Sequence, residues 1–486
     1  MSRQVTAEPV PRLPLPAPVP PLLLAGLAAG GTGLGIVLAA LGVRYGPWVP
    51  AAVAVLLVIV VGGLANPRWA VALVFAAVPI GAVDVGPLGV PIIQVAVLGC
   101  AALIVLRRIN ARQAPLPWPP AMWWAAAIVG VAVLETPLAI DPDAAVRQVA
   151  QLVTGVLVAL AIVAAVRRVQ DLRWLLGAFV MVGTAVCLVA LPGAGQLRPR
   201  YGGAVVENRA QGLFTEPNQL GSFSALLLFL ACALWLGGRT GTVRTAAGLA
   251  ALVAVSALAL SLSRGSWVGA LAGAAVLLAL LPMARRRLLL LVPIAVAAVL
   301  ALAVLQADVP QLGVINERLK TFSNPTASPW DDRPGIYREA WSEIQARPLT
   351  GFGPGGFPVA SSRAESGVRT VGAFHAHNVL LTVAAESGLP AVVLLIGFTL
   401  SVGLVALRTI RRLRAGDRPR DAALVAGLAA ALMMVVGQGL VDFTLRNPII
   451  VVLVWSVVGL LLAADRVSAS PGAPPVGGPA PTQAGP

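Results

Sequence analysis

Charge, histidine and cysteine are all scarce in this 486-residue chain. Charged residues make up 11% of it, whereas soluble domains carry about 25%. The apolar share is 58% and the mean hydropathy +0.87, which excludes an ordinary soluble domain. Cysteine is limited to Cys100, Cys187 and Cys232, each inside an apolar run. That leaves no disulfide framework, thiolate metal site or redox pair, and the three read as small core residues. No small-residue cleavage site follows a short apolar core near the start. The opening "MSRQVTAEPVPRLPLPAPVPP" therefore reads as a cytoplasmic tail ahead of a signal-anchor helix, not as a cleaved signal peptide.

Long apolar runs are what the chain has in abundance. "AAVAVLLVIVVGGLA" and "LLLLVPIAVAAVLALAVLQA" approach or reach the length needed to cross a hydrocarbon core about 30 Å thick. Such runs predict an all-α integral membrane protein with about 14 transmembrane helices. Their centres fall near Gly33, Leu57, Phe75, Leu98, Ile128, Leu157, Val182, Leu227, Val255, Ala275, Ala297, Gly397, Ala430 and Val454. With the N-terminus inside, the basic loops "NPR", "RRINAR", "RRVQDLR", "GGRTGTVR", "ARRR" and "RTIRRLRAGDRPR" all fall in the cytoplasm. The net charge of +15 is then topological and implies no nucleic-acid partner. Residues 1–20 are expected to form a disordered cytoplasmic tail, and residues 21–307 a bundle of about eleven spans. Residues 308–376 form one large extracytoplasmic loop, and residues 377–464 about three further spans. The Pro- and Gly-rich residues 465–486 are expected to form a second disordered cytoplasmic tail.

Three external segments carry arginine without any topological need for it. They are "RPRYGGAVVENRAQGLFTEPN" with Arg198, Arg200 and Arg209, the hairpin "SLSRGSW" with Arg264, and the long loop. An ionised group at a membrane border is costly and usually has a partner, the bland alternative being a side chain that snorkels to lipid phosphates. Inside the long loop, "RPGIYREAWSEIQARPLTGFGPGGF" predicts an amphipathic helix. Ile336, Ala340, Trp341 and Ile344 recur at helical spacing, while Arg338, Glu339, Glu343 and Arg347 largely occupy the other faces. "GFGPGG" matches G-x-G-x-x-G in form only, because no strand precedes it and Pro354 interrupts it.

Both histidines lie in "FHAHN", residues 374–378. On a helix, a spacing of two residues puts His375 and His377 on different faces, and no further ligand is evident nearby, so no metal is expected. His377 opens the next span, where a near-neutral imidazole can take a proton. Asn378 and Glu386 are placed to orient it, and His375 to support the loop or contact substrate.

Together these segments resemble the O-antigen ligase and O-antigen polymerase superfamily, bacterial multi-spanning glycosyltransferases of the integral-membrane type C architecture. His377-Asn378, nine residues and then Gly388-Leu389-Pro390 follow a family signature ending Gly-x-x-Gly/Thr/Tyr, from which Ala391 departs. "RAQGLFTEPNQLGSFSALLL", "SLSRGSWVGAL", "IYREAW" and "PLTGFGPGGF" resemble other family segments in the family's order, over roughly residues 200–400. The resemblance implies a metal-independent, inverting transfer of glycan from a polyprenyl-pyrophosphate carrier to an acceptor hydroxyl, with no cofactor. It implies that Arg209 and Arg264 bind pyrophosphate and that His377 is the catalytic base, with His375, Asn378, Glu386, Arg200 and Arg338 as possible support. The expected partners are the lipid-linked glycan donor, a glycolipid or glycan acceptor, and membrane lipids. The expected location is the bacterial plasma (inner) membrane, with both termini cytoplasmic. A polysaccharide polymerase on the same donor shares every motif; a lipid-linked glycan transporter and a shape-and-division peptidoglycan polymerase are further alternatives. A metal-dependent type C enzyme would want an acid in the first external loop, and "RYGP" has none.

Overall fold

The computed structural model describes residues 62–63, 66–85, 90–193, 198–199, 205–206, 209–282, 285, 333–363, 375–443 and 445–469. They form helices α1 (Pro67–Ala76), α2 (Ile92–Asn110), α3 (Met122–Glu135), α4 (Pro142–Ala165), α5 (Val169–Ala190) and α6 (Pro217–Gly237). These are followed by α7 (Gly241–Leu260), α8 (Arg264–Leu280), α9 (Arg333–Ala346), α10 (Phe357–Arg363), α11 (Val379–Ala415), α12 (Pro419–Gly439) and α13 (Pro448–Ala469). Two antiparallel pairs of two-residue strands, Asp84–Val85 with Val90–Pro91 and Arg198–Pro199 with Val205–Val206, are the strand content of the described residues.

Eight helices are long and apolar enough to cross a membrane, and three more apolar helices are shorter, among the described residues. The chain is an all-α integral membrane protein. Eleven of the apolar centres read from the sequence fall on these helices; those near Gly33, Leu57 and Ala297 lie outside the described residues. α1 itself has ten residues and rises about 15 Å, and the count of about 14 spans reaches beyond the described residues. At the other end of the chain, α13 runs to Ala469, past the boundary expected at residue 464.

Local chemistry sets where the helices begin. Asp141 accepts from the Ala144 N–H at 3.0 Å, Ser263 from the Ser266 N–H at 3.3 Å and Asn447 from the Ile449 N–H at 2.9 Å. Each supplies an acceptor to the unpaired amides of a first turn. α6 and α13 are the innermost helices, and small residues let their neighbours come close. Gly459 of α13 packs on Ala159 of α4, and Gly427 of α12 on Ala233 of α6. A buried polar knot joins three helices: Gln438 of α12 donates to Ser222 of α6 at 2.6 Å and to Ser266 of α8 at 3.1 Å.

Ion pairs gather at the end of the bundle where the basic loops lie. Arg68 meets Asp171 at 3.2 Å, Arg412 meets Asp465 at 3.0 Å, and Arg173 and Arg418 share Asp421. The opposite end holds the α7–α8 turn, the α9–α10 segment, the start of α11 and the α12–α13 loop.

α11 is broken at Ser387 and Gly388, where Gly388 has φ +70° and ψ 176°. Inside a membrane helix such a break strands backbone groups that water cannot reach. The segment between α9 and α10 takes them up. Phe352 N–H donates to Ala385 O at 2.9 Å, Gly353 N–H to Glu386 O at 2.8 Å, and Leu389 N–H to Pro348 O at 2.8 Å. The α3–α4 loop joins from the other side, with Ile140 N–H on Phe352 O at 2.9 Å.

The amphipathic helix is present as α9, but its buried face differs from the expected one. Ile336, Ala340 and Ile344 are buried against α11 together with Glu339 and Glu343, whereas Trp341 is 55% exposed. The helix packs on a protein surface that holds a carboxylate of its own, so sorting apolar from charged residues mistook which face is covered.

The break yields a stability prediction. A Cβ on Gly388 would lie 2.3 Å from Leu349 O, in a backbone region close to glycine-only. Gly388→Ala should cost at least about 1–3 kcal/mol and lower the melting temperature of the purified protein. Gly403→Ala on the same helix, where nothing lies within 4 Å, should change it little. Equal melting temperatures for the two variants would show that the break carries no strain.

Candidate active site

His377 precedes α11 with φ +48°, the left-handed region that a non-glycine residue enters rarely. That turn folds the histidine back on its neighbour. The His377 N–H donates to His375 Nδ1 at 3.1 Å, and the two rings meet edge to face with centroids 4.3 Å apart. The expectation that a two-residue spacing separates the rings assumed a helix; here the pair lies in a loop and the rings touch.

His377 Nδ1 lies 3.1 Å from Asp442 Oδ1. A carboxylate can only accept, so Nδ1 carries the hydrogen and the neutral ring keeps its lone pair on Nε2. Asp442 comes from the α12–α13 loop and is 2% exposed; its Oδ1 also accepts from the Phe443 N–H at 2.8 Å. A Cβ on Gly265 would lie 3.1 Å from Asp442 Cβ, which puts this carboxylate against the first turn of α8. The positive end of a helix favours a negative charge there. Burial alone would raise the Asp442 carboxyl, but the hydrogen bond from His377, with the positive charge of Arg333, holds it below its ordinary range.

The two imidazoles differ in environment. Burial, then His377, then Arg446 and Arg333 depress His375 to about 3 against the opposing pull of Asp442. His375 is thus a neutral acceptor that fixes the loop, with Phe443 packed 5.5 Å from its ring. His377 is more open, its side chain 28% exposed.

Arg209 and Arg264 are brought to the same corner. Arg209 Nε donates to Ser261 O at 2.8 Å and its guanidinium to Asn218 Oδ1 at 2.7 Å. This ties Arg209 to the start of α6 and to the α7–α8 turn. Arg264 is the first residue of α8, two positions beyond that turn and next to Gly265. Both arginines therefore lie on the α8 side of the His377–Asp442 pair.

The remaining expected residues have other surroundings. Asn378 caps α11, accepting from the Leu380 and Leu381 N–H groups at 2.9 and 3.1 Å, and donates to Leu440 O at 2.8 Å. It acts on the backbone rather than on the ring. Glu386 is buried among the Gly355 and Phe357 amides and the charge of Arg446. The group that holds the His377 ring is Asp442. Arg338 is exposed on α9, whereas Arg333 of that helix is felt at Asp442. Arg200 lies outside the described residues. Asp442, Arg446 and Arg333 were not singled out from the sequence. "VDFTLRNP", a turn between two apolar spans that carries both an acid and an arginine, was the available signal for the first two.

His375, His377 and Asp442 offer ligand atoms within 4.8 Å of one another. His375 Nδ1 already accepts the His377 N–H and His377 Nδ1 already meets Asp442 Oδ1, so a cation binding through those atoms would have to displace both contacts. Beside the pair, a cavity of about 400 Å³ runs between α3, α4, α11, α12 and α13. Leu152, Val383, Val436 and Trp455 are among its apolar walls, and Glu386, Gln438 and Asp442 lie at its polar edge.

Residues 249–396 match the O-antigen ligase family model. The match includes Arg264, α9 and His377, and it supports the resemblance drawn from the motifs; Arg209 and Asp442 lie outside it. No curated protein matches the chain. Among solved structures, the chain is similar to one from "Structural coordination of polymerization and crosslinking by a peptidoglycan synthase complex". That likeness has 20% identity and a TM-score of 0.40 and covers 72% of this chain and 97% of the other.

The contrast between the imidazoles is measurable. In the protein labelled with ¹⁵N-histidine, one ring should stay neutral, with Nδ1 unprotonated, down to about pH 4, because its folded value lies near 3. That resonance should vanish in His375→Ala. A His375 ring that titrates at an ordinary value would place it in water instead of against His377 and Phe443.

Proposed function

From an O-antigen ligase domain over residues 249–396, we propose that the chain is a glycosyltransferase that moves a glycan from a polyprenyl-pyrophosphate carrier to an acceptor hydroxyl at the outer face of the plasma membrane. The observation that carries this reading is the buried Asp442 holding His377 Nδ1 beside the arginine-bearing start of α8. His377 Nε2 takes the acceptor hydroxyl proton as the oxygen attacks the anomeric carbon. The bond from that carbon to the pyrophosphate oxygen breaks, and its electron pair leaves with the pyrophosphate. Asp442 stabilises the imidazolium that forms. The leaving group needs charge neutralisation more than a proton, and Arg209, Arg264 and the positive end of α8 supply it. Single displacement from the opposite side inverts the anomeric centre.

The apolar cavity beside the pair suits the lipid part of a membrane-bound substrate. No step calls for a metal or a nucleotide. A polymerase differs from a ligase in the acceptor, which the same base would serve equally well.

With a synthetic polyprenyl-pyrophosphate glycan and purified protein, His377→Ala should lower transfer by about 10²–10⁴-fold. Asp442→Asn should fall in the same range, because the amide no longer enforces the Nδ1–H tautomer. Arg209→Ala and Arg264→Ala should weaken donor use strongly, with Lys restoring only part of it for want of the planar fork. A fully active His377→Ala would overturn the assignment. Chelators should leave wild-type transfer intact; its loss would turn His375, His377 and Asp442 into a metal cluster.

Orientation is tested apart from chemistry. The three native cysteines are buried, so a cysteine at the exposed position Gln345 of α9 reports alone. It should react with an impermeant thiol reagent in intact cells or spheroplasts. Labelling only after permeabilisation would put α9 and the site in the cytoplasm.

A further inference from the structure

One buried cluster of titratable groups is left unused by this chemistry. α9 turns Glu339 and Glu343 toward α11, which presents Glu386; the three are 2%, 5% and 5% exposed. Neither oxygen of Glu343 has a hydrogen-bond partner among the described residues. Among the described residues the other charged groups near the cluster are few, and α3 brings one more acid, the buried Glu135, which hydrogen-bonds Ser387 beside Glu386. Arg446 of the α12–α13 loop acts on Glu386, and Arg147 of α4 acts on Arg446. α10 adds no acid and has Arg363 as its last residue, while Arg347 beyond α9 lies over the Phe352 ring at 4.7 Å. Three carboxyl groups in so dry a junction cannot all ionise without strong mutual repulsion.

The same helix reaches the candidate active site. Tyr337 donates its hydroxyl to His377 O at 3.5 Å, and Arg333 is felt at both His375 and Asp442. We propose that Glu343 is a protonation-dependent latch: as the neutral acid it lets α9 seat against α11 beside His377, and as the carboxylate it drives the helix away. Burial, then Glu339 and Glu386, raise its carboxyl from 4.5 to about 8. For an acid raised in the seated state, the advantage of seating is complete below about 4.5 and shrinks as pH rises. Above about 8, even the seated helix carries the charge.

The test is hydrogen exchange of residues 333–346 in the purified full-length protein, at about pH 6 and about pH 9, corrected for intrinsic exchange. Wild-type α9 should open at least about 10-fold more often at the higher pH. Glu343→Gln, which mimics the neutral acid, should remove most of that difference, and Glu343→Asp should keep it. Equal wild-type protection at the two pH values, or an unchanged pH dependence in Glu343→Gln, would overturn the latch. Exchange reads the helix and not glycan transfer, so failure of the transferase reading would leave this result standing.

Discussion

The break in α11 is the constraint on which the rest of this end of the molecule depends. A membrane helix that interrupts its hydrogen bonds needs other groups to take them up. Here the residues after α9 take them up, so the position of α9 follows from the position of the break. The approach is close: a Cβ on Gly351 would lie 2.4 Å from Glu386 C, just as one on Gly388 would meet Leu349 O. Two glycines from segments far apart in sequence therefore interlock. The short stretch of α11 before the break, Val379 to Glu386, is held by α9 on one side and by the Asn378 cap on Leu440 O on the other. His377 sits directly ahead of that clamped stretch.

Charge is managed differently at the two ends of the bundle. At the end with the basic loops, arginine and aspartate neutralise each other, as Arg173 and Arg418 do on Asp421. At the His377 end, the buried carboxylate of Asp442 meets a titratable ring and the start of a helix. Such a contact holds one tautomer and tolerates a proton arriving on the other nitrogen, which a fixed arginine pair could not do. Arginine–aspartate pairing and the His377–Asp442 pair thus lie at opposite ends of the bundle.

How much of this could be read from the sequence depended on range. Apolar length and turn chemistry are local, and the helices from Phe75 to Ala275 and from Gly397 to Val454 were legible from them. Arg209, Arg264 and His377 stood out because each is a polar residue beside an apolar run. Asp442 did not stand out, since its importance comes from a partner 65 positions earlier and from the start of α8. The covered face of α9 was misread for a related reason: Glu339 and Glu343 are polar by identity but buried by the company they keep. The two histidine rings touch where helical spacing would part them, because they lie in a loop in which His377 has a positive φ.

That angle is itself informative. A left-handed histidine costs of order 1–3 kcal/mol unless its surroundings fix it. The surroundings do so three times over: His375 Nδ1 takes the amide, Tyr337 reaches the carbonyl, and Asp442 holds the ring. A loop that served only to connect α10 to α11 would relax to an extended residue at this position and lose nothing. Relaxing the strain would pull the ring from Asp442 and leave a buried carboxylate without its imidazole donor, a penalty that offsets the backbone angle. The two histidines stand two residues apart so that one can hold the other in this turn.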